Sequence, residues 1–447
     1  MFSYQFKSFL ILLILPLIDS FRIVIRDQLA PPHNKRADNK ITQLTKICEK
    51  CQILKLSSFQ KSTSSRKTPS YWTYTTVLTE LAKDAQWTLF IEPQTILTEE
   101  SFIQIQKLTE TDNQTPTIFT NKLIDKDLSI IHHFAGYKPE ESYKKSFIDF
   151  SRGFLANKVM LQKLSNYRPQ NNPQSFHIDA AHELSEFIDK ALNQKRDWLQ
   201  HSDIFKSIQV QKFSDHNCGT KIKDDDFMIA VKTAQHLHKS RLKIVSETWG
   251  LEFKNIKFFS NVTASLFGGI IETTDTYKVP NTERGHCGKT SAIIKNFDDQ
   301  KFKFLVIVDD DTIFGKNELL QILNCYNPSD ELFIGERYGF ALNNKYSGYN
   351  YITGGGGMIL TSSAVKIYKQ NCNCPSLESP DDMVISDCLE RNGVSIVHEP
   401  SFHQARPEDY TEGYLKAHGA VSFHKHWNCD PKKIYQTWFS DSKHDEL

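Results

Sequence analysis

Apolar and polar positions follow one another in blocks along most of the chain, and the blocks have the lengths of strands and helices. Short unbroken apolar runs, such as WTLFIEP at 87–93 and FKFLVIVDDD at 302–311, predict buried strands. Stretches with apolar residues every three or four positions, such as AAHELSEFIDKALNQ at 180–194, predict amphipathic helices. Strands that alternate with helices are typical of a doubly wound α/β fold with a mostly parallel sheet.

A polar break, SDHNCGTKIKDDD at 214–226, separates two halves of the chain. After it, FMIAVKT and NIKFFSN predict two more strands, and QHLHKSRLKIVSETWG at 235–250 predicts a helix. A chain of 447 residues exceeds the usual size of one domain. We therefore predict two tandem domains, at residues 21–213 and 214–443, between short terminal signals.

The two halves also resemble each other in sequence. WTLFIEPQTIL parallels FKFLVIVDDDTIF, and FSRGFLANKVMLQKL parallels ITGGGGMILTSSAVKIY. The interval from Gly153 to Asp179 equals that from Gly355 to Asp381. Chance likeness between two α/β domains is the alternative to a true repeat. If the repeat is real, the first domain keeps the fold but has Glu-Pro-Gln at 92–94 in place of three aspartates, which predicts a scaffold or a binding module rather than a second active site.

Both ends of the chain carry targeting patterns. Residues 1–20 have one lysine before a short apolar run and predict a secretory signal peptide; a signal anchor or a core helix is the alternative. Residues 444–447 read HDEL, the retrieval signal of resident endoplasmic reticulum proteins. These patterns predict a protein of the endoplasmic reticulum lumen that meets a retrieval receptor and does not span the membrane once the signal is cleaved.

Composition narrows the function further. The 54 basic residues balance 53 acidic residues, so no electrostatic argument favours nucleic acid as a partner. In an oxidising lumen the nine cysteines predict structural disulfides with one thiol left over. Cys48 and Cys51 form an isolated C-x-x-C, which favours a local disulfide over a metal site.

Three consecutive carboxylates, Asp309, Asp310 and Asp311, end the apolar run at 302–308. Adjacent like charges repel, and their burial without a partner is costly, so we expect a strongly positive group beside them. Mg²⁺ and Mn²⁺ take oxygen ligands and often complete their shell with phosphate oxygens of a substrate. The triplet therefore predicts a metal-bound diphosphate; an acidic turn in solvent is the alternative.

Two later motifs add to this candidate site. Glycines 354–357, including Gly355 and Gly356, precede a predicted helix and allow the backbone to approach a ligand closely. Asp381 and Asp382 precede another predicted helix; we predict a cap in the first and a general base in the second, although both could simply cap the helix. Of the late histidines 398, 403, 424 and 426, we select His403 as a metal ligand.

In this order the motifs resemble those of a known family. FMIAVKT, CGKTSAI, FLVIVDDDT, YITGGGGMIL, SPDDMVIS and SFHQARPEDY, within residues 225–440, are similar to the motifs of the Fringe-type β-1,3-glycosyltransferases. The resemblance implies a GT-A-like nucleotide-sugar-binding α/β fold, with two tandem domains of which the first is degenerate.

The resemblance also implies roles for single residues. Asp311 and His403 would bind the metal, Asp309 and Asp310 would lie near the nucleotide and donor sugar, and Asp382 would be the catalytic base. Four further residues match family positions near the nucleotide: Thr233, Arg241, Asp275 and Lys289.

The implied reaction is an inverting transfer from a UDP-sugar, with Mn²⁺ or Mg²⁺ at the diphosphate. Within the family the likeness is strongest to members that move glucose from UDP-glucose to the 3-hydroxyl of O-linked fucose on thrombospondin type 1 repeats. Two alternatives stay open. One is transfer of N-acetylglucosamine or galactose to another acceptor, and the other is a non-catalytic lectin or folding factor of the endoplasmic reticulum.

Overall fold

The structure is a computed structural model. It describes residues 21–59, 78–110, 114–125, 131, 146–167, 176–194, 196–212, 218, 221–266, 269–273, 282–283, 285–342 and 348–440. In these ranges no helix combines the length and apolar character that a membrane crossing requires. The predicted signal peptide, the HDEL sequence and Asp275 lie outside the described residues.

The first half is an α/β unit. Its strands are β1 (Phe21–Ile25), β2 (Gln52–Lys55), β3 (Trp87–Ile91), β4 (Thr95–Ile96), β5 (Ile118–Thr120), β6 (Lys122–Ile124), β7 (Ser146–Ile148), β8 (Phe154–Asn157), β9 (Phe176–His177), β10 (Leu199–His201) and β11 (Gln209–Val210). Its helices are α1 (His33–Ile47), α2 (Leu78–Leu81), α3 (Glu99–Leu108), α4 (Lys158–Asn166), α5 (Ala180–Leu192) and α6 (Asp203–Ser207).

The second half is a larger α/β unit. Its strands are β12 (Phe227–Lys232), β13 (Ile256–Ser260), β14 (Ala264–Leu266), β15 (Gly269–Thr273), β16 (Phe304–Asp309), β17 (Thr312–Phe314), β18 (Leu332–Gly335), β19 (Arg337–Phe340), β20 (Tyr349–Ile352), β21 (Met358–Thr361), β22 (Ser395–His398) and β23 (Ser422–His424). Its helices are α7 (Arg241–Glu247), α8 (Cys287–Asn296), α9 (Lys316–Leu323), α10 (Ser362–Asn371), α11 (Asp381–Arg391), α12 (Glu412–His418) and α13 (Pro431–Trp438).

The two main sheets have the same topology. The first half has the strand order β2-β1-β3-β8-β5-β10, and the second contains β13-β12-β16-β21-β18-β22 with the same parallel and antiparallel pairs. A short antiparallel ladder beyond the central strand also repeats, as β4 with β11 and as β17 with β23. The predicted repeat of the fold is therefore confirmed, and it aligns Glu92 with Asp309 and Gln94 with Asp311. The strand pairing aligns Gly153 with Gly357 rather than with Gly355, so the predicted glycine register is wrong by two residues.

Parallel pairs outnumber antiparallel pairs in both main sheets, as predicted, although β8 and β21 run antiparallel to both of their neighbours. The structure corrects two local predictions. The glycine run leads into a strand, β21, before helix α10 begins, and Gly357 takes a positive φ of 107° at that entry. The helix predicted at 235–250 is divided into one 3₁₀ turn at Gln235–Leu237, helix α7 and a second 3₁₀ turn at Gly250–Glu252.

The second sheet is buried on both faces, which explains its continuous apolar runs. Along β16, Val306 and Val308 pack into one hydrophobic cluster, while Leu305 and Ile307 pack into another on the opposite face. A strand covered on both sides carries no alternating polar positions. Its polar residues are therefore confined to its carboxyl end, where ligands bind in such sheets.

The cysteine predictions are confirmed. Cys48 pairs with Cys51, and the remaining disulfides join Cys218 to Cys325, Cys287 to Cys374 and Cys372 to Cys388. Cys429 is the remaining free thiol. The disulfides Cys287–Cys374 and Cys372–Cys388 connect the start of α8, the end of α10 and helix α11, so they fix the segment that precedes Asp381.

The two halves contact each other directly. Strand β9 of the first half pairs with β19 of the second, with His177 opposite Gly339. The Gln28 side chain exchanges two hydrogen bonds, of 2.8 and 2.9 Å, with the backbone of His398. These contacts close the carboxyl edge of the first sheet against the second half.

Candidate active site

The three aspartates, of which Asp309 ends β16 and the other two lie in the turn after it, have different partners. Asp309 and Asp311 lie on one side with His424, whereas Asp310 lies on the other side. The chain therefore does not bring three carboxylates together. Asp309 and Asp311 join His424, whereas Asp310 binds Thr233 and Arg241.

Asp309, Asp311 and His424 form the cation cluster, which has the donor set and the spacing of a divalent-cation site. His424 Nε2 lies 3.0 Å from Asp311 Oδ1 and 3.7 Å from Asp309 Oδ2, and one ligand atom from each residue falls within 4.8 Å of the others. Antiparallel pairing of β17 with β23 places His424 opposite Thr312 and thereby brings it to the acidic triplet. Two carboxylates and one imidazole suit Mn²⁺ or Mg²⁺ with room for phosphate oxygens.

The orientation of the His424 ring is fixed from behind. Its Nδ1 lies 3.0 Å from the carbonyl oxygen of Gln404, which can only accept, so this nitrogen donates and Nε2 is the nitrogen that faces the carboxylates. The ring also rests on Gly355, where an added Cβ would lie 2.2 Å from His424 Cε1. Gly355 therefore makes space for the His424 ring. A Cβ at Gly356 would lie 3.2 Å from the Gln404 nitrogen.

Asp310 is bound within the protein. Its carboxylate accepts hydrogen bonds from Thr233 Oγ1 at 2.7 Å and from Arg241 Nη1 at 2.9 Å. Burial raises the pKa of Asp310, although these two hydrogen bonds oppose the rise. The same Arg241 nitrogen lies 3.1 Å from Asp311 Oδ2. Asp310 therefore holds the guanidinium against the cation cluster.

The carboxyl of Asp311 is kept ionised. Burial alone would raise its pKa, but the hydrogen bond from His424 and the charges of His424 and Arg241 bring the pKa below its ordinary value. An ionised carboxylate in a largely buried site is what a divalent cation requires of a ligand.

Lys232 connects the cation cluster to helix α11. Its Nζ lies 3.0 Å from Asp309 Oδ1 and 2.7 Å from Asp381 Oδ2, and Asp381 also accepts from Thr290 Oγ1 at 2.5 Å. Asp381 therefore acts as an ion-pair partner, and the prediction that its side chain caps α11 is wrong. Burial opposes ionisation, yet Lys232 and Thr290 lower the pKa of Asp381 to about 2.

Asp382 begins the same helix with a different environment. Its carboxylate accepts from the backbone N–H groups of Met383, at 2.8 Å, and Gly354. Burial and the neighbouring charge of Asp381 raise its pKa to about 7. A carboxyl whose pKa lies near neutrality can accept a proton during a reaction, which suits the predicted general base.

The predicted nucleotide-side residues surround this cluster where the structure describes them. Thr233 and Arg241 bind Asp310, and Lys289 Nζ donates to the Thr233 carbonyl oxygen at 2.6 Å. Lys289 is only 4% exposed, so the described structure gives it a supporting position behind Thr233.

His403 lies outside the cation cluster, and His424 takes the place that was predicted for it. Its ring is fully buried, is stacked on Phe423 at 4.8 Å and meets the edge of Tyr410 at 4.5 Å. Nδ1 lies 3.0 Å from the Ser422 carbonyl oxygen. Burial lowers the pKa of His403 to about 3, so the ring is a neutral part of the core.

Sequence reasoning missed two residues of the site. The tripeptide Ser-Phe-His occurs at 401–403 and again at 422–424, and only the second lies on a strand that pairs with β17. Lys232 ends strand β12, as Asp309 ends its parallel neighbour β16. The rule that parallel strands end at one edge would have placed these two residues together.

The mixed α/β sheet has this strand order and carries the cation cluster at the carboxyl ends of its strands. Beside the cluster stands Asp382, a carboxyl with a pKa near 7. Together these features define a GT-A-like glycosyltransferase. The Fringe-like family model matches residues 222–445. The chain belongs to the Fringe-like family of β-1,3-glycosyltransferases.

Relatives agree with this assignment. A beta-1,3-glucosyltransferase of Mus musculus is 34% identical over 95% of this chain and 87% of its own length. A beta-1,3-glucosyltransferase of Homo sapiens is 36% identical over 82% of this chain and 73% of its own length. The beta-1,3-N-acetylglucosaminyltransferase manic fringe of Danio rerio is 25% identical over 55% of this chain and 73% of its own length.

Proposed function

We propose that this enzyme transfers glucose from UDP-glucose to the 3-hydroxyl of O-linked fucose on thrombospondin type 1 repeats, in the lumen of the endoplasmic reticulum. One observation carries the choice of glucose: similarity to the beta-1,3-glucosyltransferases extends over 95% of the chain for the Mus musculus relative, against 55% for the manic fringe relative. The fucose acceptor and the compartment rest on the motif resemblance and on the HDEL sequence at 444–447.

The site supports an inverting displacement. Asp382, as the base, takes the proton of the acceptor hydroxyl, whose oxygen forms a bond to the anomeric carbon as the bond to UDP breaks. One displacement inverts the anomeric centre and needs no covalent enzyme intermediate. Lys232 holds Asp381 and Asp309 in place and thus fixes the base relative to the cation cluster.

Asp309, Asp311 and His424 would hold Mn²⁺ or Mg²⁺. When bound, the cation supplies Lewis-acid stabilisation of the negative charge on the departing diphosphate. Arg241, at 37% side-chain exposure beside Asp311, adds a cationic group that the protein itself provides at the same edge. Asp310 orients that guanidinium.

A donor panel tests the proposal. The purified protein, Mn²⁺ and an O-fucosylated thrombospondin repeat are incubated with UDP-glucose, UDP-galactose or UDP-N-acetylglucosamine, and products are scored by intact mass. We expect a hexose gain from UDP-glucose alone. A gain only from UDP-N-acetylglucosamine or UDP-galactose would overturn the donor. Absence of both transfer and UDP binding would favour a non-catalytic lectin or folding factor.

UDP and Mn²⁺ together should raise the melting temperature, because a ligand that binds only the folded state stabilises it. At 100 times the dissociation constant the gain is roughly 2.7 kcal/mol, and EDTA should reverse it. Differential scanning fluorimetry measures the shift, with ADP and Mn²⁺ as the control pair. An equal shift with UDP in EDTA would contradict metal-dependent binding.

His424→Ala and His403→Ala should separate the two histidines. Loss of the His424 ligand is expected to weaken Mn²⁺-dependent UDP binding roughly 100-fold or more, since even residues behind a metal ligand change affinity about 10–100-fold. His403→Ala should instead lower the free energy of unfolding by about 2–4 kcal/mol through a core cavity. Calorimetry with UDP and urea unfolding measure both effects. The reverse pattern would restore His403 as the ligand.

A further inference from the structure

A cavity lies between the two halves, at the carboxyl edge of the first sheet. The first half supplies walls after β1, β3 and β7, and the second half closes the cavity with α12 and the segments after β18 and β22. Its lining includes two arginines, two glutamine amides and two tyrosines: Arg26, Arg36, Gln94, Gln211, Tyr410 and Tyr414. The cation cluster is not part of this lining.

This cavity occupies the position that the active site takes in the second half. The Glu92 backbone N–H donates to Thr95 Oγ1 at 3.0 Å, and Thr95 Oγ1 donates to the Ser151 carbonyl oxygen at 2.8 Å. The equivalent bonds in the second half, of 3.1 and 2.9 Å, join Asp309, Thr312 and Gly355. The repeat thus preserves both the strand ends and the hydrogen bonds that shape the site.

The cation chemistry has been lost from the first copy. Gln94 stands where the second half has Asp311, and the pairing of β4 with β11 puts Val210 where His424 stands. The remaining carboxylate, Glu92, is ion-paired with Arg26 and accepts from Gln94 Nε2 at 2.6 Å. An amide, an apolar side chain and a carboxylate already paired with an arginine are a weaker donor set for Mn²⁺ or Mg²⁺ than two carboxylates and an imidazole.

The charge of the lining disfavours an anionic ligand. Two arginines, Arg26 and Arg36, face five carboxylates in the cavity wall. Glu336 is bonded to the Tyr410 hydroxyl at 2.9 Å, and burial raises its pKa to about 8, so it is mostly neutral at pH 7. A phosphate would meet more negative than positive groups here, and it would have no cation to bridge to.

The wall combines aromatic faces with neutral hydrogen-bonding groups. Tyr410 and Tyr414 are stacked at 5.8 Å, and the Arg26 guanidinium lies over the Phe150 ring at 5.1 Å. The amides of Gln94 and Gln211 both donate and accept. Rings beside amides and carboxylates match a sugar, which presents C–H faces and hydroxyls at once.

We propose that this cavity is a second, metal-independent binding site, for a neutral saccharide. The proposal does not depend on which donor or acceptor the catalytic half uses. It explains why the first half keeps the shape of a sugar-nucleotide site after losing its cation ligands. The first half still binds a sugar but no longer binds a diphosphate.

Saturation-transfer NMR on the full chain in EDTA tests the proposal. The probes are the methyl glycosides of glucose, galactose, mannose, fucose and N-acetylglucosamine, the glucosyl-β-1,3-fucose disaccharide, and glucose 6-phosphate as an anionic control. We expect at least one neutral probe to bind, with a dissociation constant on the order of 1 mM. The disaccharide arm distinguishes a glycan source from a free monosaccharide. Failure of every neutral probe, or preference for the phosphate, would overturn the proposal.

Variants locate the binding. Gln211→Trp, which puts a large ring at the cavity wall, should abolish the signal, and Tyr414→Phe, which removes one hydroxyl, should weaken binding about fivefold. Asp311→Asn, in the catalytic cluster, should leave the signal unchanged. Thermal melting by circular dichroism checks folding of each variant. Binding that survives in both cavity variants, or that disappears in Asp311→Asn, would place the saccharide in the other half and overturn the proposal.

Discussion

Asp311→Asn is expected to lower kcat/KM for sugar transfer roughly 10³-fold, about 4 kcal/mol of transition-state stabilisation. The carboxylate contributes the ligand atom 3.0 Å from His424 Nε2 and also pairs with Arg241 at 3.1 Å. An amide in its place removes one of the two negative charges that face the cation. Titration of UDP in Mn²⁺ and steady-state kinetics with varied Mn²⁺ measure the loss, which excess metal should only partly restore.

The chain offers a matched control for this substitution. A second triplet, Asp224, Asp225 and Asp226, precedes strand β12, and Asp225 is exposed on the surface beside Lys254. Asp225→Asn changes the same chemistry in the same sequence context and should leave transfer unchanged. If Asp311→Asn bound UDP and Mn²⁺ with unchanged affinity, the cation would have to bind elsewhere.

The two aspartate triplets show how far sequence reasoning reaches. Both read Asp-Asp-Asp, but only the triplet at 309–311 follows an apolar strand, so only its position predicts a ligand edge. The alternation of strands with helices and the repeat between halves were predictable for the same reason, since long apolar runs survive in sequence. Local charge alone would not have separated a surface ion pair from a cation site.

The choice between histidines needed tertiary structure. Ser-Phe-His at 401–403 and at 422–424 are identical, and the one that serves the site is decided by the antiparallel pairing of β17 with β23. Pairing between segments far apart in the chain leaves no local signature. Likewise the partner of Asp381 is Lys232 on a distant strand, which no local capping rule reveals.

The cavity between the halves shows a different limit. Sequence comparison identifies Glu92, Pro93 and Gln94 as the degenerate counterpart of the acidic triplet, which predicts loss of catalysis. It does not show that helix α12 of the second half, with the residues just before it, covers this edge and brings Tyr414 and Tyr410 to it. A degenerate copy becomes a candidate binding site only through that contact between halves.

Asp382→Asn is expected to lower kcat roughly 10³-fold while UDP and Mn²⁺ bind as in the unchanged protein. The asparagine amide cannot accept the proton of the acceptor hydroxyl, and Asp382 lies outside the cation cluster. In the unchanged enzyme the pKa of about 7 predicts a pH profile. Below pH 7 the carboxyl is protonated and kcat should fall tenfold per pH unit, and above pH 7 kcat should level off.

The same raised pKa predicts the stability of this variant. A carboxyl that ionises more readily in the unfolded chain than in the fold destabilises the fold as pH rises above the unfolded pKa of about 4, and the loss is complete above pH 7. Asp382→Asn should therefore melt at least as high as the unchanged protein at pH 8. Asp387→Asn, on the same helix and paired with Arg391 at 2.9 Å, is the matched control and should keep full turnover. A pH profile that keeps its acidic limb in Asp382→Asn would assign the base to another group.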